Sequence, residues 1–251
     1  MSAAPLATRV AAQLRMELRL TARRGENVLA TLVIPVALLV FFVAYPIGLP
    51  PGERAVDAVV PAIVAVAIIS AGLVNLGIAT AYERAYGVLK RLGATPLTRP
   101  ALVLAKIGAV VVLEVVQLAV VGAVAVGLLG WRPAAIDVVG TGAALVLGTA
   151  CFAGLGLLLA GTIRAEATLA LANGLFLAFV LVGGVVVPPE SLPPALAGIA
   201  RALPAAALAD ALRTALGGQP DPGLSGAPAL VVLAIWALVA VLAAARLFRW
   251  E

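Results

Sequence analysis

The sequence predicts an all-α integral membrane protein. It is expected to have six transmembrane helices, an N-terminal amphipathic interface helix, a short helix on the connector between the second and third spans, and a broken helical segment before the last span. Three observations carry this. Of the 251 residues 63% are apolar and only 12% are charged, about half the charged fraction of an average soluble domain. The mean hydropathy is +1.15. The charges also cluster, leaving 27–52, 58–82, 138–163, 167–189 and 222–245 uncharged and 107–131 with Glu114 alone. Each run exceeds the about 20 residues that cross a hydrocarbon core.

Composition excludes several classes. The chain has no histidine and one cysteine, Cys151, within an apolar run. That argues against a disulfide framework and against a His- or Cys-clustered metal site. The net charge of +5 is not a nucleic-acid footprint, because the basic residues flank apolar runs, where they set topology. Neither lysine, Lys90 or Lys106, stands in a G-x-x-x-x-G-K-[ST] loop, since Arg91 and Ile107 follow them. The chain therefore has no loop of that kind to cradle ATP.

The elements follow in order. Over 7–24, Val10, Leu14, Leu18 and Thr21 fall on one helical side and Arg9, Arg15, Arg19 and Arg23 on the other, with Met16 and Leu20 near the basic side. This reads as an amphipathic helix on the membrane surface, arginines toward anionic headgroups. Spans are expected at 28–48, 59–81, 107–129, 138–160, 168–187 and 229–246. Pro35 falls within the first. Between spans two and three, 82–100 is the most charged internal stretch. Ala85 to Gly93 suits a short helix, and Pro96 and Pro100 keep it from running smoothly into span three. The segment 188–228 lies before the last span, and its prolines cut it into pieces. Two short helices fit, Pro194 to Ala202 and Pro204 to Leu216, ended by Gly217-Gly218. They either re-enter the membrane or cap it. No separate soluble domain is expected, so 1–251 form a single transmembrane domain.

Six spans place both termini on one side. That side holds thirteen basic residues: five arginines of the N-terminal arm, five basic residues over 82–106, Arg164, Arg246 and Arg249. The other side holds Arg54, Arg132, Arg201 and Arg213. The excess predicts cytoplasmic termini and a cytoplasmic connector.

Polar residues within the spans are few. Glu114 is the sharpest, because an intramembrane carboxyl group is costly and marks a functional position by default. Gln117 follows three residues on, so the two can line a pathway together. The alternative is a structural lock in which Glu114 pairs with a basic residue. Asn75 and Asn173 are further pathway candidates, or interhelical hydrogen-bonding groups. Gly154, Gly156 and Gly161 suit close helix packing.

The connector reads E-R-x-x-G-V-L-K-R-L-x-x-T-P-L-x-R from Glu83 to Arg99. The later segment reads P-P-E-S-L-P-P-x-L-x-x-I-A-R-A-L-P…D-A-L-R from Pro188 to Arg213. With the six spans and the N-terminal helix, these resemble the permease subunits of type-2 ATP-binding-cassette (ABC) exporters, drug- and antibiotic-resistance permeases among them. The resemblance implies that the connector is a coupling helix. Glu83, Arg84, Gly87, Val88, Leu89, Lys90, Arg91 and Leu92 would then contact a separate ATP-binding subunit. It also implies a second permease subunit, in a homodimer or heterodimer, and a bacterial plasma membrane location. ATP and magnesium would sit on the partner and no cofactor on this chain. The substrate would be a hydrophobic or amphipathic drug, antibiotic or lipid. Two other classes remain in view, an integral-membrane enzyme acting on lipids and a membrane assembly or anchor protein.

The charge asymmetry yields a test. Cysteine at Gly217 should react with an impermeant thiol reagent added to intact cells, and labelling only after lysis would invert the topology.

Overall fold

The computed structural model describes residues 5–23, 25–46, 54–133, 135–185, 193–218 and 226–249. Within them the chain is helical and contains no strand. The helices are α1 (Leu6–Arg23), α2 (Gly25–Ala44), α3 (Ala55–Ile69), α4 (Gly77–Ala85), α5 (Val88–Gly93), α6 (Arg99–Gly127), α7 (Val138–Thr162), α8 (Ala165–Val182), α9 (Pro194–Ala202), α10 (Pro204–Ala215) and α11 (Ala227–Leu247). A π-helical segment, Ser70–Leu76, joins α3 to α4, so Ala55–Ala85 is one rod of 31 residues.

Among the described residues, five helices are long and apolar enough to cross a membrane: Ala55–Ala85, Arg99–Gly127, Val138–Thr162, Ala165–Val182 and Ala227–Leu247. They overlap the second to sixth expected spans: the second and third start earlier than expected, at Ala55 and Arg99, and the fifth ends at Val182, short of the expected 187. The first expected span falls on α2, in which Thr31–Ala44 is apolar but shorter. Its expected end at 47–48 lies outside the described residues, as do 186–192 and 219–225 around the segment before the last span.

Helix α7 is the centre of the bundle. It packs against α11, the π-helical segment, α4, α10, α6, α3 and α8. Its glycines make this possible, because lipid supplies no hydrophobic drive between helices and close contact must do so. A Cβ at Gly156 would lie 2.5 Å from the Gly72 carbonyl oxygen, and one at Gly154 would lie 2.9 Å from the backbone of Ala240. One at Gly161 would meet the Phe248 ring at 2.6 Å. The three glycines singled out in the sequence therefore serve packing. The main core runs through Leu39, Ile68, Phe152, Phe179, Leu208 and Leu233. A second core at the connector end joins Leu89, Leu102, Leu157 and Phe248.

The two proline-started helices stand as expected, with Pro194 and Pro204 in their first turns. Helix α10 does not cap the bundle from outside. Every residue from Pro204 to Leu212 is buried, among α3, α7 and α11. Leu208 packs over Gly148, ten residues into α7, about 15 Å from its start. Arg213 secures this insertion. Its guanidinium donates to the carbonyls of Gly184 at 2.6 Å and Val185 at 3.1 Å, just past the end of α8, and to buried Asp210 at 3.0 Å. A cation at a helix C-terminus meets the negative end of the helix dipole.

Helix α1 has the two sides that the sequence divides. Its Val10, Leu14, Leu18 and Thr21 side is half-buried against α6, where Leu14 covers Gly108. Arg15, Arg19 and Arg23 face outward together with Met16 and Leu20. The apolar stripe of the helix thus rests on protein, where Gly108 leaves room and Lys106 attracts Glu17.

Gly217 has a φ of 76°, a left-handed backbone that strains a cysteine. Exposed Gly198 on α9, with open space around its Cα, is the better labelling position. Gly156→Ala should lower stability by roughly 1–3 kcal/mol through overpacking, read by thermal unfolding in detergent. An unchanged unfolding temperature would refute the backbone contact with Gly72.

Candidate functional site

The connector is broken where one short helix over 85–93 was expected. Helix α4 carries Glu83 and Arg84 to Ala85, the chain turns at Tyr86 and Gly87, and α5 begins at Val88. The cause is local. Gly87 takes a left-handed φ of 72°, which ends the α4 ladder, and its N–H closes the turn on the Arg84 carbonyl at 2.9 Å. A Cβ at Gly87 would meet nothing within 4 Å. Its backbone angle, not a close approach within the chain, is what calls for glycine. Helix α5 ends at Gly93 and α6 starts at Arg99, with Pro100 in its first turn.

The eight connector residues divide into two groups. Leu89 is fully buried, packed in the cluster of Leu102, Leu157 and Phe248. It anchors α5 to the bundle and does not offer the apolar contact assigned to it from sequence. Glu83 is also turned inward, as its carboxylate accepts from the Lys106 ammonium at 2.8 Å. Arg84 donates to the Ile163 carbonyl in the turn between α7 and α8. The other five look outward or are half-covered: Gly87, Val88 at 41% exposure, Lys90, Arg91 and Leu92. Tyr86, 75% exposed and stacked on Tyr82, joins this outward surface. Its place beside a glycine in a charged loop was the only sequence signal for it.

Lys106 was counted for topology alone. It is 1% exposed, between Glu83 of α4 at 2.8 Å and Glu17 of α1 at 3.1 Å. Gln13 donates to Glu17 at 2.8 Å. At the far end of the connector, Arg9 of α1 donates to the Pro96 carbonyl at 2.8 Å.

The four polar pathway candidates do not converge. Glu114 and Gln117 are buried within the single chain. They border a cavity of about 10 Å3 with Val64, Ala67, Ile68 and Leu145, about the space of one water. The Thr149 hydroxyl bonds to Glu114 Oε2, while Oε1 has no hydrogen-bond partner. Gln117 donates to the Thr31 carbonyl of α2 at 2.7 Å. The expected basic partner of Glu114 is absent among the described residues. Thr149 of α7 fills that place, and Lys106 is taken by Glu17 and Glu83. Asn75 and Asn173 instead lie on the outside, on the π-helical segment and on α8, which pack together. Asn173 donates to its own helix, to the Leu169 carbonyl at 2.8 Å.

A bundle of apolar spanning helices, with an inserted α10 and a short anchored helix at one end, defines a multi-pass membrane protein. A family model described as ABC-2 type transporter matches residues 8–216, from α1 through α10. The chain belongs to the ABC-2 type transporter family and is a permease subunit of an ABC transporter. A search of curated proteins finds no match.

The buried Glu114–Thr149 contact gives a stability test. Thr149→Val leaves the carboxyl group without its partner and should cost about 1–3 kcal/mol. Adding Glu114→Leu removes both polar groups and should recover most of that loss. Strict additivity in a thermal double-mutant cycle would show that the two side chains are not coupled.

Proposed function

We propose that the chain is the permease of an ATP-driven exporter, with α5 as the seat of a separate ATP-binding subunit. One observation carries this reading. A six-residue helix stands at one end of the bundle, fixed from beneath by Leu89 and bearing Val88, Lys90 and Arg91 outward, with Tyr86 exposed in the turn before it. A rigid helix held by its buried face can pass rigid-body movement of a partner into α4 and α6, to which it is joined. A loop that only set topology would need basic residues but no anchored helix.

In this reading the connector and both termini are cytoplasmic and the membrane is the bacterial plasma membrane. ATP and magnesium bind the partner, and this chain binds no cofactor. A second permease subunit completes the pathway. The exposed carboxamides of Asn75 and Asn173 support its position, because amide groups facing lipid are costly and a second subunit would cover them. The apolar surroundings of that face, with Leu169, Leu177 and Leu181 exposed on α8, suit a hydrophobic or amphipathic drug, antibiotic or lipid. Glu114 and Gln117 stand apart from that face and act within the subunit.

Reversing charge on the outward side tests the seat. Arg91→Glu with Val88→Asp should leave membrane insertion and abundance intact. Affinity for the co-purifying ATP-binding subunit should fall about tenfold or more, equivalent to roughly 1.4 kcal/mol. Undiminished co-purification and export would reduce the connector to a topology signal.

A further inference from the structure

Glu114 of α6 is 3% exposed and lies against Thr149 of α7, which is fully buried. Two contacts meet at the Thr149 hydroxyl oxygen. One runs to the Leu145 carbonyl of its own helix at 2.7 Å, the other to Glu114 Oε2. A threonine hydroxyl has one hydrogen to give, and a carbonyl oxygen has none. If Glu114 were a carboxylate, one of the two contacts would set oxygen against oxygen with no hydrogen between them. Both are filled together only when the carboxyl group supplies the second hydrogen.

The surroundings agree. Apart from Gln117, the cavity beside Glu114 is lined by Val64, Ala67, Ile68, Leu118, Val121 and Leu145, all apolar. Among the described residues, no cation meets Glu114 from the elements packed on α6. Lys106 stands eight positions back on α6, about 12 Å along the helix, between Glu17 of α1 and Glu83 of α4. The α1 arginines Arg15, Arg19 and Arg23 face outward, and Arg9 is held at Pro96. Asp57 is the one charged residue of α3 and is bound to Arg54. Helix α7 has no charged residue, and Cys151 is its one titratable side chain. The π-helical segment and Thr31–Ala44 of α2 have no charged residue either. The one charge of α11, Arg246, is exposed near its end. A buried carboxylate with no cation is far costlier than a neutral, hydrogen-bonded acid.

We propose that Glu114 is a proton-binding site: in the folded chain it is a neutral carboxylic acid whose Oε2–H donates to Thr149 and ties α6 to α7. The Thr149 hydroxyl then donates onward to Leu145, so one directed chain of hydrogen bonds runs from α6 into the backbone of α7. The proton is the ligand, and the tie is made and broken with it. Its loss to water would leave a charge in an apolar site and remove the hydrogen from the bond, so the tie opens on the alkaline side.

Infrared spectra of the full chain in lipid nanodiscs at neutral pH test the protonation. The parent minus Glu114→Gln difference should contain the C=O stretch of a carboxylic acid, and that band should move to lower frequency in D2O. The other inward carboxyl groups, Glu17, Glu83 and Asp210, are each paired with a cation and absorb as carboxylates. Thr149→Val removes the acceptor and should shift the acid band without abolishing it. If Glu114→Gln is scarce, the Glu114→Leu and Thr149→Val double variant serves as the reference. A parent spectrum with no acid band at neutral pH overturns the inference, as does a band indifferent to Thr149→Val.

Proton linkage gives an independent check. Above the ordinary carboxylate range, an unfolded chain has lost the Glu114 proton that the fold retains. Stability falls with rising pH wherever the folded state binds more protons. The Glu114→Gln carboxamide can still donate to Thr149 but does not titrate. The unfolding temperature of the parent should therefore drop relative to Glu114→Gln as pH is raised from mildly acidic to neutral. A difference that stays constant, or moves the other way, means that Glu114 is ionised in the fold and overturns the proposal.

Discussion

Close backbone contact along α7 is the constraint on which the rest of the bundle depends. Apolar helices in lipid gain nothing from hiding apolar side chains, so they associate where backbones approach and van der Waals contact is dense. Gly154 and Gly156 let α11 and the Ala55–Ala85 rod reach the α7 backbone. The rod widens into a π-helical segment at that crossing, and Gly72 supplies the matching surface. Gly148, further along α7, makes the space into which Leu208 of α10 fits. A side chain at any of these positions would hold a neighbour away and loosen the bundle as a whole.

Polar contacts then fix how the ends of this bundle are arranged. At one end Arg213 gathers the carbonyls of Gly184 and Val185, just past α8, and the Asp210 carboxylate, joining the inserted helix to the end of α8. At the other end Lys106 gathers α1 and α4, and Arg84 holds the turn between α7 and α8. The Arg249 N–H adds a bond to the Gly161 carbonyl at 3.1 Å, closing the C-terminal end of α11 onto α7. Each uses a cation or N–H donor to satisfy backbone carbonyls or carboxylates that the helices leave unpaired. Buried polar groups that lack such partners are expensive. The result is a rigid platform at the connector end, and the proposed coupling depends on that rigidity.

Membership of the ABC-2 type transporter family gives the two ends different meanings. The helix α5 is short, and a six-residue helix has little stability of its own. It persists because Leu89 is sunk between α6, α7 and Phe248. In the proposed function that anchoring is what turns a loop into a lever. The inner polar pair, Glu114 and Gln117, plays a different part. These two side chains tie α6 to α7 and to α2, inside the subunit.

The sequence by itself determined the class, five of the spans and the breaks made by proline. Charge-free runs read directly as membrane helices, since hydrocarbon excludes charge over a fixed thickness. Prolines read directly as helix starts, because their effect is local: Pro194 and Pro204 start helices where expected, while α6, with Pro100 in its first turn, begins at Arg99, ahead of the expected span. Only the tertiary structure decided which side of each helix meets protein. The α1 stripe of Leu14 and Leu18 stood out as apolar, and the structure packs it on α6. Leu89 looked like a contact for a partner, yet it is core. Lys106 looked like a topology charge, yet it joins three helices. Helical periodicity states that two faces differ. Which neighbour satisfies each face depends on contacts between residues tens of positions apart, such as Glu17 with Lys106 and Glu114 with Thr149, and no local pattern records those distances.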